Sequence, residues 1–392
     1  MSVLYLSQDG IADHIGQSQV APYILGLAER GYDIHLISAE KAGTEAIIAD
    51  YRQRFAAVGV RWTIVAYHKP LIGTLRDLVA MSRAALAIAR TERITLVHCR
   101  SHPTLPVGIA VKRWTGAKLL FDFRDFWADT GIAKGRFVPV YRFFKRLERS
   151  FVRAADHVNC LTHRAAEHLR AAYPEQRASW SVIPCCADFT LFQPSQNIAA
   201  TRTELGIAPD AIVLLYLGSI GPDYLLDRMM ALFRELRALR PGAVFLLVVN
   251  NAADEIHMAA QAAGIPRDAI RVTGAPRARV PALVGVADLS VSFRRQGLNM
   301  VGCSPTKLGE TFACGVPVIA NAGLGDLDTL LSIDINGSTT IANFAPETLR
   351  AGLEQVLDQP LTPLEIRQSA LELRLESGVD AFAAVYGALG GT

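Results

Sequence analysis

The segment Ser304–Asp328, SPTKLGETFACGVPVIANAGLGDLD, concentrates residue types that could do chemistry. Ser304 followed by Pro305 predicts a helix start, a hydroxyl cap with proline at the first helical position. Thr306 and Lys307 fall in the first turn, and Lys307 and Glu310, three apart, share one helix face. The open end of such a helix offers unpaired amides and the positive end of its dipole to a phosphate, and Lys307 adds a full charge. Glu310, one turn further in, suits a bidentate grip on neighbouring ribose hydroxyls. The helix is expected to end at Gly315, with a strand after it. Gly323 and Gly325 then let the backbone approach a ligand. Ser-Pro alone would be an ordinary helix cap; with Lys307, Glu310 and the glycine loop the segment reads as a nucleotide site.

A second cluster lies in Cys99–Gly131. Asp122, Arg124, Asp125, Trp127 and Asp129 fall just past an expected strand end, beside Phe123 and Phe126. Rings for stacking and carboxylates for hydroxyls suit a sugar, with Asp125 as a candidate base. The plainer alternative is a turn in which Arg124 pairs with an aspartate. His102 follows the strand Leu96–Cys99 and is expected at the same strand end, as a catalytic candidate, whereas His98 is expected in the core. Gly16 and Gln17, before the first helix, are either ordinary helix-start chemistry or a close approach to phosphate. Asp9 and His14 in that loop could meet an acceptor. In the second half, LGSIGPDY at 217–224 offers Gly218, Ser219 and Gly221 as backbone donors to a phosphate.

These residues need a scaffold, and the pattern supplies one. Apolar runs at Val3–Ser7, Ile34–Ser38, Val60–Ala66, Leu96–Cys99, Lys118–Asp122, His157–Leu161 and Ser181–Ile183 alternate with stretches of helical period such as Gln17–Arg30, Gly73–Arg90 and Pro103–Thr115. A turn-rich linker is expected at Cys186–Asn197. A second series follows at Ala211–Leu217, Val244–Val249, Ile270–Thr273, Leu289–Phe293 and Val316–Ala320. The expected class is α/β: two Rossmann-like, doubly wound domains facing across a cleft, with ligands beyond the carboxyl ends of the strands. The boundaries expected are 1–187, 188–372 and a final helix, 373–392, packing back on the first domain.

Composition narrows the class further. Of 392 residues 51% are hydrophobic and 20% charged, which excludes disorder. Lys plus Arg (40) nearly balance Asp plus Glu (37), a net charge of +3 that gives no case for nucleic acid. No apolar run reaches the ~18 residues of a membrane span, and the start lacks signal-peptide character. The six cysteines form no C-x-x-C pair and suggest neither a disulfide framework nor a zinc site; Cys99, Cys160 and Cys314 read as core. A cytoplasmic setting is expected.

ETFACGVPVIA resembles the donor-nucleotide signature of the retaining family 4 glycosyltransferases, which have the GT-B fold. The resemblance extends to the opening SQDGIADHIGQSQVAPYILGLAERGYDIHLIS, to AADHVNCLT at 154–162, to SVIPCCADFTLFQP at 181–194 and to RVTGAPRARVPALVGVAD at 271–288. It implies that Glu310 binds ribose, that Thr273, Gly274 and Ala275 lie near the base, and that the sugar is transferred with retention, the departing phosphate assisting the acceptor hydroxyl. Two departures stand out. The family's paired glutamates are eight apart, and position 302 is Gly302. The family's Arg-Lys diphosphate clamp has no counterpart in 217–224, so Lys307, Arg294 and Arg295 are expected to carry the leaving-group charge. Possible donors therefore extend to CMP-sugars.

The stretch Lys134–Arg153 sets Lys134, Arg136, Arg142, Lys145, Arg146, Arg149 and Arg153 against Glu148, interleaved with Phe137, Tyr141, Phe143, Phe144 and Phe151. A basic, aromatic helix suits an anionic membrane face; a solvated basic face with buried aromatics is the alternative. The expected function is transfer of a sugar from a nucleotide-sugar to a glycan, lipid-linked or protein acceptor in bacterial surface glycan synthesis. No cofactor, metal or nucleic acid is expected. A nucleotide-sugar epimerase of the same architecture, or a silent scaffold, are the other readings.

Overall fold

In the computed structural model, residues 1–68, 72–135, 137–250 and 252–391 are described; Arg136 of the basic stretch lies outside them. The chain divides into two units. The first comprises Met1–Cys185, Val301–Ser304 and Leu375–Thr392; the second comprises Cys186–Met300 and Pro305–Arg374.

The first unit is built on β1 (Ser2–Ser7), β2 (Asp33–Glu40), β3 (Arg61–Ala66), β4 (Leu96–Arg100), β5 (Lys118–Phe123), β6 (His157–Cys160) and β7 (Ser179–Val182). They form one all-parallel sheet in the order β3-β2-β1-β4-β5-β6-β7. Helices on both faces bury the central strands, so that β4 is buried along its whole length and β5 along all but its first residue. The order reverses between β1 and β4, so the ends of β1, β4 and β5 open on the switch point.

The second unit repeats the plan with β8 (Val213–Leu217), β9 (Val244–Val248), β10 (Ile270–Thr273), β11 (Leu289–Ser292), β12 (Val318–Asn321) and β13 (Thr339–Ile341), all parallel in the order β10-β9-β8-β11-β12-β13. Its switch point lies between β8 and β11. Only β13 was not anticipated, because three residues after Gly337 carry too little pattern.

Two local corrections bear on the site. The expected helix Gln17–Arg30 is two helices, His14–Gln19 and Ala21–Glu29, broken at Val20. Pro22 lacks the N–H that would continue the ladder. Ser304 does not cap its helix: Thr306–Ala313 starts after Pro305, and the Ser304 hydroxyl accepts from the Cys185 amide at 3.0 Å.

The last helix, Leu375–Gly390, belongs to the first unit. Tyr386 donates to or accepts from His98 Nδ1 at 2.7 Å, and Tyr32 donates to the Ala383 carbonyl at 2.8 Å. Phe382 meets Tyr23 edge to face, and Arg30 pairs with Asp380. His98 is core, as are Cys99, Cys160 and Cys314.

Candidate active-site residues

In the second unit the helix Thr306–Ala313 places Lys307 and Glu310 in different surroundings. Lys307 reaches the ring of Tyr224, its Nζ 5.7 Å from the centroid, and lies where a side chain on Gly218 would have to go. A side chain at 218 would push the ammonium from this position. Arg294, just past β11, lies 4.8 Å over the same ring and donates to the Tyr224 hydroxyl at 3.3 Å. The Tyr224 strip is fixed by antiparallel pairing with Arg294 and by Arg295 donating to the Asp223 and Pro222 carbonyls. Lys307 and Arg294 thus converge on one aromatic platform at the switch point between β8 and β11. That is where a diphosphate would need cations. Tyr224 was not singled out in the sequence, and its only signal is an aromatic in an otherwise turn-like strip.

Glu310 is buried and accepts from Arg277 at 3.0 Å. Burial pushes its carboxyl up from the ordinary range, and Arg277, then Lys307, pull it back. β10 ends at Thr273, whose carbonyl accepts from the Val249 amide; Gly274, exposed and beside Asn250, and then Ala275 follow the strand.

Several expected phosphate donors are already engaged. The Gly218 amide donates to the Val248 carbonyl, whereas at Ser219 it is the carbonyl that is used, accepting from the Tyr216 hydroxyl at 2.5 Å. Gly323 donates to Asp328 at 3.0 Å and Gly325 to the Met300 carbonyl at 2.8 Å, so both glycines shape their loop rather than offer amides. Ser304 is held by Cys185, as above. The charged groups of the expected site are Lys307 and Glu310 on the helix Thr306–Ala313 and Arg294 just past β11.

In the first unit the loop after β1 is pinned from beneath. The buried Glu40 carboxylate accepts from the amides of Ile11 (2.6 Å) and Ala12 (3.1 Å) and from the Ser38 hydroxyl (2.6 Å). Gly16 is buried against the Gly10 carbonyl and Ile11 backbone, with no room for a Cβ, so its glycine is a packing requirement. Gln17 holds the Ala12 carbonyl at 2.9 Å. His14 is exposed.

The cluster past β5 is largely a charge network. Arg124 pairs with Asp122 at 3.4 Å and donates to Gln19 at 3.0 Å and to the Cys185 sulfur at 3.1 Å. Arg100 donates to the same Gln19 oxygen at 3.1 Å and pairs with Asp9. Burial alone would raise the Asp122 carboxyl; Arg124, then His98, outweigh it and hold it well below the usual range. Arg124 thus makes the aspartate pair that the plainer alternative describes.

His102 also differs from expectation. It is fully buried, with Nε2 2.9 Å from Glu148 and its ring packed against Phe121, Phe123 and Trp127. Lys145 bonds Asp129 at 2.7 Å and Glu148 at 2.8 Å, and Tyr173 donates to Glu148 at 2.6 Å. Against the burial that would raise it, His102 and then Lys145 and Tyr173 hold the Glu148 carboxyl at about 2. Trp127 and Asp129, both half-buried, belong to the same assembly, Trp127 packing on Tyr141 and Phe144.

Asp125 alone of the expected sugar-binding carboxylates makes no hydrogen bond or ion pair among the described residues. Burial pushes its carboxyl up and His102 pulls it back. It lies beside Gly302, where a Cβ would sit 3.8 Å from the Asp125 Cα and 3.5 Å from the Phe126 ring. Those are ordinary contact distances, so a side chain at 302 is missing by sequence and not by steric exclusion. No group of three or more His, Cys, Asp or Glu among the described residues could hold a metal ion.

Two family models match the chain, Glycosyltransferase Family 4 over residues 20–191 and Glycosyl transferases group 1 over residues 197–372. The D-inositol 3-phosphate glycosyltransferase of Segniliparus rotundus is 28% identical over 279 residues, covering 68% of this chain and 59% of that protein. The chain thus spans less than two thirds of that relative's length. Among solved structures, sucrose-phosphate synthase from Thermosynechococcus elongatus aligns with a TM-score of 0.74 at 16% identity, over 99% of this chain and 98% of that one. HepE from Anabaena, in complex with UDP-glucose, aligns with a TM-score of 0.68 at 17% identity, over 99% and 100%. At such identities the likeness is one of fold.

Proposed function

This chain belongs to the glycosyltransferases of family 4, with the GT-B fold, and from that premise we propose that it transfers a sugar from a nucleotide-sugar donor to a glycan or lipid-linked acceptor in bacterial surface glycan synthesis. The observation that carries the reading is the pairing, on one helix start, of a buried carboxylate at Glu310 with a cationic platform of Lys307 and Arg294 around Tyr224. Glu310 takes the ribose hydroxyls. Lys307, Arg294 and the amides at the start of Thr306–Ala313 take the phosphates. The UDP-glucose bound by HepE supports a UDP-sugar as the first donor to try.

In the proposed reaction the bond between the anomeric carbon and the phosphate oxygen breaks, and a bond to the acceptor oxygen forms. The acceptor's proton passes to the departing phosphate, giving retention. The leaving group gathers negative charge as the bond breaks, and fixed cations are most effective against charge that develops in the transition state. Asp125 is the carboxylate in the first unit proposed for the acceptor side. Were it to take the proton instead, inversion would become possible. A binding screen of UDP-, GDP- and CMP-sugars tests the reading: one nucleotide class should bind saturably, and failure of all three would remove it.

We place catalysis at a membrane face, on the helix Val138–Ala154. Lys145 turns inward to Asp129 and Glu148, and Phe151 and Val152 are buried. The outer face carries Arg142, Phe143, Arg146, Arg149 and Arg153, with Phe137 at the helix start. Phe143 is 56% exposed, which a solvated basic face alone would not call for. No helix among the described residues is long and apolar enough to cross a membrane. The chain should therefore sediment with anionic but not neutral vesicles at low salt. It should be released near 1 M salt, where the Debye length falls to ~3 Å. Replacing Arg142, Arg146 and Arg153 with Glu should weaken sedimentation by at least roughly two orders of magnitude, at ~1 kcal/mol per cation. A wild type that ignores anionic vesicles would leave the helix a basic face and favour a soluble acceptor.

A further inference from the structure

The carboxylate assigned to ribose is already paired. The Glu310 side chain is 7% exposed and accepts from Arg277 Nη1 at 3.0 Å. Arg277 opens the short turn Arg277–Arg279 that follows β10, so the pair joins two segments remote in sequence. The Arg277 guanidinium lies 5.4 Å over the ring of Phe192, which is fully buried. Arg367 fixes that platform: it donates to the carbonyls of Phe192 (2.7 Å), Phe189 (2.8 Å) and Ala313 (2.5 Å), the last on the helix of Glu310 itself. Stacked on one anchored side chain and bonded to another, Arg277 has little freedom to leave Glu310.

The charged and titratable groups around Glu310 are Arg277 from the segment after β10, Lys307 on its own helix, and the Cys314 thiol, which burial and then Glu310 push up to about 12. Burial by itself drives a carboxyl toward its neutral form, which accepts hydrogen bonds from two hydroxyls poorly. Lys307 is drawn toward Tyr224 and Gly218. The strong opposing influence is Arg277.

We propose that Arg277 is a positioning residue for the nucleotide: from its seat on Phe192 it keeps Glu310 ionised and aimed in the empty site, so that the ribose meets a ready acceptor. The proposal rests on the reading of Glu310 as the ribose ligand. It makes Arg277 a partner of the bound state rather than a competitor that ribose must displace, since Nη1 takes one carboxylate oxygen, Oε1.

The test is the pH dependence of UDP, GDP and CMP affinity, by calorimetry, for the wild type, Arg277→Lys and Arg277→Gln. Removing the cation raises the Glu310 carboxyl further, and binding requires its charged form. Affinity of Arg277→Gln should approach the wild type at high pH. It should fall roughly tenfold for each pH unit below the new, higher inflection. Arg277→Lys should restore most of the wild-type profile. A wild-type profile in Arg277→Gln, a uniform loss at every pH, or tighter binding would each overturn the proposal.

Thermal melting without ligand gives an independent arm. A carboxyl whose folded value is raised favours folding at low pH and loses that contribution as pH rises through the folded value. The melting deficit of Arg277→Gln should therefore widen with rising pH and close in the double variant with Glu310→Gln. If the melting arm behaves so but the wild type binds none of the three nucleotides, the nucleotide reading has failed and takes this inference with it. If the wild type binds one of them and the two pH profiles coincide, this inference alone has failed.

Discussion

Glu310→Ala should abolish nucleotide binding at practical concentrations while the chain stays folded. A carboxylate gripping two ribose hydroxyls contributes two charge-assisted hydrogen bonds of about 1.5–3 kcal/mol each. Their loss corresponds to an affinity lower by roughly 10²–10⁴-fold. The fold should tolerate the change, because Arg277 is 32% exposed and keeps its seat on Phe192, so no charge is stranded away from water. Calorimetry against UDP, GDP and CMP, with circular dichroism as the control for folding, makes the measurement. Unchanged affinity for whichever nucleotide the wild type binds would remove the centre of the proposed site.

Lys307→Ala should show the opposite signature, a large loss of turnover with little change in donor affinity. The Lys307 ammonium sits on the Tyr224 platform beside Gly218 and Arg294, where charge on a departing phosphate would build. An interaction made chiefly in the transition state lowers turnover when removed, and single donors of this kind are worth about 10²–10³-fold. Donor affinity should change only a few-fold, since Arg294 and the helix amides still hold the ground-state phosphates. Normal turnover with a weakened donor constant would instead make Lys307 a simple binding residue.

The architecture was largely legible in the sequence because parallel strands covered on both faces must be apolar along their whole length. β1, β8 and β9 therefore announce themselves as short apolar runs between helical periods, while β4 and β5 keep an apolar stretch but also carry His98, Arg100 and Asp122. β13 did not, since three residues show no period. At the site, Lys307 and Glu310 were legible because a helix fixes what is near at three and four residues. What joins them to the rest is not local. Glu40 anchors the amides of residues 11 and 12, Arg277 meets Glu310 and Gln19 gathers Arg100 and Arg124, each across a gap that only the sheet topology closes. The same limit explains Lys145 and His102. The pattern of one helix does not say which of its cations turns inward, and a histidine after a strand reads alike whether it meets solvent or, as here, a buried glutamate.

The final helix has a bearing on how the protein is made. The first unit closes only when Leu375–Gly390 covers Tyr23, Tyr32 and His98, yet the whole second unit is encoded before that helix. About 190 residues lie between Cys185 and Leu375, which at about 5–20 residues per second take roughly ten to forty seconds to translate. During that interval the nascent first unit carries an uncovered aromatic face and a histidine awaiting its tyrosine. Chaperones that shield apolar surface should therefore engage the chain late in synthesis. A circular permutant with this helix moved to the front should shed that dependence, because the covering helix would already be present when the surface it covers emerges.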